Sequence, residues 1–161
     1  MTEYGAPWSK ALVVATAVVC VVCVGVGVSL VATLPGGLRY LALLALAAPV
    51  AGALFTIRGY TLTRDTLGIR RLLWTTRLPL AGLRGARSEP DVMQGSLRTF
   101  GNGGLFAFAG LFRNRTLGSY RAFVTDPRRT VVLEYPGRPV VVSPDRPEAF
   151  VRELPVGGAN R

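Results

Sequence analysis

The chain has 161 residues, half of them hydrophobic, with 19 Lys and Arg against 9 Asp and Glu, for a formal net charge of +10. It contains no histidine, which excludes Ser-His-Asp and Cys-His nucleophile sites and histidine-ligated metals from the outset. Charge and apolarity are segregated: residues 58–161 hold 17 Arg and 8 acidic side chains, a net of +9, whereas residues 1–57 hold only Glu3, Lys10 and Arg39.

Residues 1–10 read as a short tail on the cytoplasmic side. The run from Ala11 to Leu34 then passes 24 residues without a charge. As a helix it is roughly 36 Å long, enough to cross a hydrocarbon layer of about 30 Å with some tilt. Its length and the single basic residue before it, Lys10, argue against a cleavable signal peptide. Pro35, Gly36 and Gly37 break the helix, and residues 35–39 form a short extracytoplasmic loop ending at Arg39. The second run, Tyr40 to Ile57, has 18 residues and carries Pro49 and Gly52. Both are tolerable in a span whose neighbouring helix supplies packing. Gly25, Gly27 and Ser29 offer a small-residue face for that contact. Trp8 and Tyr60 are placed at the interfacial belt. Cys20 and Cys23 lie in purely apolar surroundings and read as small filler.

A loop this short makes the two spans antiparallel, so both termini lie on one side. Lys10, Arg58, Arg64, Arg70 and Arg71 outnumber Arg39 in the loop. By the positive-inside rule the protein is a multi-pass inner-membrane protein with both termini in the cytoplasm.

After Ile57 the pattern changes to short strands and turns: "GYTLTR", "LGIRRLLW", "TRLPLAGL" and "LRGARS". Beyond the glycine-rich stretch come "LGSYRAFVT", an Asp126-Pro127 turn, "RTVVLEY", a Pro136-Gly137 turn and "RPVVVS". This reads as an antiparallel meander of about seven strands. In "DRPEAFVREL", Asp145 is placed as the helix cap with Glu148 completing a capping box. Phe150, Val151 and Leu154 form one apolar stripe, suited to plugging a small curled sheet. Residues 155–161 read as a flexible tail.

Two spans, "GYTLTRDTLGIRR", "RTFGNGGLFAFAGLFRNRTLGSYRAFVTD" and the ending "RPVVVSPDRPEAFVREL" together resemble the bacterial PH-like (pleckstrin homology) domain membrane proteins. The resemblance implies an α+β membrane protein: a two-helix transmembrane hairpin, then a small antiparallel PH-like β-barrel over residues 58–154, closed by one C-terminal helix. It implies a place at the membrane and no reaction. Phosphoinositide-binding PH domains carry a Lys and then a basic-x-Arg pattern across their first two strands. Arg64, Arg70 and Arg71 stand in that region here, without Lys and without that spacing.

The central question is the stretch "FGNGGLFAFAGLF", residues 100–112, within a hairpin spanning 98–115. Gly101 and Gly103 begin a G-x-G-x-x-G pattern, but its sixth position is Phe106, and no G-K-[ST] follows. Nucleotide binding is therefore not expected. Glu89, Asp91, Asp126 and Asp145 each have a loop or capping role, and no carboxylate pair is forced together. The chain is expected to be no enzyme and to hold no cofactor or metal.

Nucleic acid is not an expected partner either, because no helix-turn-helix or RNA-binding signature appears. Basic charge beside a span is already explained by anionic headgroups. Read as a strand, Leu105 to Phe112 is apolar on both faces, with Phe106, Phe108 and Phe112 on one side. Arg98, Arg113 and Arg115 frame it. These six residues are the candidate contacts to the lipid bilayer, its anionic headgroups or another membrane protein. The opposing expectation is that the hairpin packs on its own domain and the second span. The functional expectation is a membrane-apposed binding or scaffolding module; the alternative is an accessory subunit of a transporter or envelope enzyme, joined through this apolar hairpin.

Overall fold

The computed structural model of the chain describes residues 1–155, so most of the expected tail lies outside the described residues. Helix α1 runs Lys10–Thr33 and helix α2 runs Leu41–Leu54, preceded by a 3-10 turn over Gly36–Tyr40. Ser9 caps α1, its hydroxyl accepting from the Leu12 amide at 3.1 Å, which satisfies one of the free donors of the first turn. Pro35 follows the C-cap and stops the helix. Both helical segments, the second counted from Gly36, are long and apolar enough to cross a membrane. They pack on each other where Gly27 faces Leu46 and Ala42; a Cβ there would stand 3.1 Å from the Leu46 side chain. Gly25, expected on the same face, has open space around it.

Among the described residues ten strands follow or precede these helices: β1 Thr2–Gly5, β2 Ile57–Leu62, β3 Thr66–Arg71, β4 Thr75–Pro79, β5 Gly85–Ser88, β6 Leu97–Gly103, β7 Phe108–Asn114, β8 Gly118–Val124, β9 Val131–Glu134 and β10 Val140–Val142. They form a four-stranded sheet in the order β1-β2-β3-β4 and a six-stranded sheet in the order β5-β9-β10-β8-β7-β6. Residues 2–5 are therefore no tail. They pair antiparallel with β2, Tyr4 opposite Tyr60, because the helical hairpin returns the chain to its starting point.

The expected meander also needs correction. The chain leaves β8 through a 3-10 turn at Pro127–Arg129, makes β9, and turns back so that β10 lies between β9 and β8. The β10–β8 pair is parallel, so the fold is not purely antiparallel. Val140, Val141 and Val142, all buried, suit this central position, where a strand is covered on both faces.

Helix α3, Pro147–Glu153, closes the structure. Its first residue is proline, and the preceding cap is Arg146, without a side-chain cap bond. Asp145 is not the cap: its amide donates to the Gly5 carbonyl at 2.9 Å and its side chain lies against Gly5, so it serves β1 instead. The predicted stripe holds, with Phe150 and Leu154 buried and Val151 packed beside them. Phe150 meets Tyr4 and Tyr60 edge-on, at 5.0 and 6.4 Å between ring centroids. Tyr60 is thus in the core rather than at an interfacial belt. The main core joins both sheets and α3, with Ile69, Phe123 and Leu133 among its members.

Candidate functional site

The glycine- and phenylalanine-rich stretch is a hairpin whose second strand begins three residues later than Leu105, where the period-2 pattern starts it. β6 ends at Gly103 and β7 begins at Phe108. Asn102 makes the turn: its side-chain oxygen accepts from the Leu105 amide at 3.0 Å and its amide group donates to the Leu105 carbonyl. Phe106 has φ of +64° and lies in the turn, so it does not share a strand face with Phe108 and Phe112.

That turn rests on the helices. The Phe106 amide donates to Thr16 Oγ1 of α1 at 3.1 Å, and its ring meets Trp8 edge-on with centroids 6.0 Å apart. Leu105 and Phe106 fill the space left by Gly52 of α2; a Cβ at Gly52 would stand 2.6 Å from Leu105 Cδ2 and 3.2 Å from Phe106 Cδ2. Nearby, the Ser9 amide donates to the Thr125 carbonyl at 3.1 Å, joining the start of α1 to the end of β8.

Both faces of β7 are covered by the chain itself. Ala109, with Ala107 just before the strand, faces the main core. Phe112 is 4% exposed, stacks on Tyr120 at 6.0 Å, and belongs with Val92 and Val124 to a second cluster against which Phe108 and Met93 pack. The cover is the loop between β5 and β6, held by Asn114 donating to the Val92 carbonyl at 2.8 Å. So Phe108 and Phe112 are not free contacts for lipid or for a partner. Arg98, Arg113 and Arg115 are exposed, but the structure does not gather them with Phe106: Arg113 and Arg115 stand at the other end of the hairpin, and the Arg98 side chain lies back over Gly103. On the edge strand, Leu97 and Phe100 stay exposed.

Sequence reasoning missed a second cluster, at the end of α2. The turn between β3 and β4 carries Leu72, Leu73 and Trp74, which are 45%, 72% and 40% exposed. Trp74 meets Phe55, the C-cap residue of α2, edge-on at 5.4 Å. Arg71 binds this corner together: Nη1 donates to the Phe55 carbonyl at 3.1 Å and Nε to Thr76 Oγ1 at 3.3 Å, with the guanidinium over the Phe55, Trp74 and Phe123 rings. A cation suits the C-terminal end of a helix. Burial, and then the charge of Arg121, lower the Arg71 pKa from its ordinary value. The signal in the sequence was the run "RRLLW", where three consecutive apolar residues break strand alternation just after paired arginines.

The carboxylates take structural places. Asp126 accepts from the Arg128 amide at 3.1 Å and caps the 3-10 turn, while Glu89 accepts from Arg87 Nε at 2.7 Å. Among the described residues no group of three or more Cys, Asp or Glu side chains is placed to hold a metal.

Two packed sheets sealed at one end by a C-terminal helix define a PH-like domain. A family model described as "Bacterial PH domain" matches residues 58–156, and the chain belongs to that family. No curated protein and no solved structure matches it significantly.

Proposed function

We propose that the protein is a two-span membrane protein with both termini cytoplasmic, whose PH-like domain is a non-enzymatic binding or scaffolding module held against the inner leaflet. The observation that carries this reading is the seat of the hairpin turn: Phe106 and Leu105 lie on Thr16 and Gly52, within two helices that are apolar enough to span. β1 pairing and the Ser9–Thr125 bond add two further attachments. A domain fixed to its spans at three places is held in one orientation to the bilayer, which is what a membrane-apposed platform needs. The positive-inside bias and the net charge of residues 58–161 support the cytoplasmic side. The accessory-subunit reading loses its intended surface, since Phe108 and Phe112 are covered by the protein's own loop.

Two results test this. The full-length chain is expected to stay in the pellet when membranes are washed with alkaline carbonate; release into the supernatant contradicts the spans. Phe106→Asp is expected to leave that retention intact, yet to destabilise the seat by about 1–2 kcal/mol, the scale for losing the apolar contacts and ring pair of a half-buried phenylalanine. The readout is proteolysis of the full chain in vesicles: cleavage at the 55–57 junction rises in the variant. An unchanged digestion pattern contradicts the seat.

A further inference from the structure

Five arginines near the sheets have a carboxylate: Arg70 pairs with Glu3, Arg87 with Glu89 and Glu134, Arg128 and Arg129 with Asp126, and Arg146 with Asp145. Arg71 and Arg121 form no salt bridge among the described residues. What sets these two apart from the other arginines without a carboxylate is that they share one ring, their guanidinium carbons 5.4 and 4.7 Å from the Phe123 centroid. Two like charges held on one aromatic platform repel each other, and a bridging anion relieves that repulsion. Planar guanidinium groups with donors to spare match the oxygens of a phosphate diester. Arg71 spends Nε and one Nη1 bond on protein acceptors, and among the described residues Nη2 has no bond to the protein.

Place selects the source of the phosphate. Arg71 is bonded to the carbonyl of Phe55, where α2 ends, and in a spanning helix that end lies at headgroup depth. The next three residues, Leu72, Leu73 and Trp74, are exposed and apolar beside that end. In water this turn is an unfavourable patch; at the boundary of headgroups and acyl chains it is a favourable one.

We propose that Arg71 and Arg121 bind the phosphate of an anionic phospholipid of the inner leaflet, while Leu72, Leu73 and Trp74 enter the acyl boundary beside it. The proposal rests on the spanning reading and adds a ligand class and a site to it. Two guanidinium groups against one phosphate leave a positive excess, so a headgroup with no cation of its own is preferred to one carrying choline.

The test uses the full-length protein in nanodiscs of mixed phosphatidylglycerol and phosphatidylcholine, with retained lipid read by native mass spectrometry. Wild type is expected to retain phosphatidylglycerol preferentially. Arg121→Gln, at an exposed position, is expected to lower that preference about fivefold, and Arg71→Gln similarly, at the usual scale for one basic residue near an anionic surface. The double variant loses the preference, whereas Arg113→Gln and Arg115→Gln keep it. No preference in wild type, an unchanged preference in the double variant, or equal loss in the Arg113 and Arg115 variants overturns the site. Displacement of the lipid by millimolar inorganic phosphate also overturns it, in favour of a soluble anion. Should Arg71→Gln unfold, Arg121→Gln alone decides. If wild type is released by carbonate washing, the spanning reading itself has failed, which is a separate outcome.

Discussion

Gly110→Val is expected to disrupt the six-stranded sheet. Gly110 has φ of +149° and faces Gly101, at φ of +101°, across the β6–β7 ladder. The two backbones approach so closely that a Cβ at Gly110 would collide with the Phe100 carbonyl and stand 2.8 Å from the Gly101 Cα. Backbone cannot yield as a flexible side chain can. The ladder also shifts register between Arg98 and Phe100, and such an irregularity bends a strand pair. Here the hairpin carries Phe106 to the helices, so strain at Gly110 is felt both in the sheet and at the seat. Backbone strain of about 1–3 kcal/mol plus the steric clash amounts to at least about 3 kcal/mol, a large part of the ~5–15 kcal/mol that holds a typical domain. Denaturation of the detergent-solubilised chain checks it; a loss below about 1 kcal/mol would show that the glycine pair is dispensable.

Tyr60→Phe is the second large effect. The Tyr60 hydroxyl donates to the Phe123 carbonyl at 2.6 Å and accepts from the Ser143 amide at 3.0 Å. Ser143 Oγ in turn accepts from the Thr125 amide at 2.8 Å, so one buried network ties β2 to the ends of β8 and β10. Removing the hydroxyl leaves the Ser143 amide without that acceptor, at a cost of about 1–3 kcal/mol.

The same group sets an alkaline limit. Burial, opposed by the Ser143 bonds, pushes the Tyr60 phenol from 10.0 up to about 12. Because folding raises this pKa, the protonated phenol's contribution is complete below pH 10 and is lost as pH rises from about 10 to about 12. About two units correspond to roughly 2–3 kcal/mol. Burial raises Tyr120 and Tyr135 as well, which steepens the loss. Wild type is therefore expected to lose stability across that window, and Tyr60→Phe to start lower and fall less. Parallel curves for the two proteins would show that Tyr60 does not titrate with unfolding.

The helices, the strands after Ile57 and the apolar stripe of α3 were legible because each is local: an uncharged run, an alternation, an i, i+1, i+4 spacing. What escaped was set by distant partners. "TEYG" becomes β1 only because the helical hairpin delivers β2 beside it, and no local signal marks four residues as an edge strand. The insertion of β10 between β8 and β9 is likewise a choice among long-range pairings, made by where a strand buried on both faces fits best. Alternating phenylalanines imitate a strand through Phe106, while the deciding interaction is Asn102 bonding Leu105 across the turn. The distance of Tyr60 from a span suggests a membrane belt, but its place on β2 turns it inward to Phe150. At the candidate site, the need for cover over the apolar hairpin was readable, but not that the loop carrying Val92 and Met93 supplies it.

The central claim is that the PH-like domain sits on the cytoplasmic face, beneath a helical hairpin whose connecting turn faces outward. Single cysteines introduced as Leu38→Cys or Arg115→Cys, with Cys20 and Cys23 changed to serine, can be labelled with a membrane-impermeant maleimide. Labelling of the Leu38→Cys protein in intact cells, and of the Arg115→Cys protein only after permeabilisation, is the predicted result. Labelling of the Arg115→Cys protein in intact cells would contradict the account.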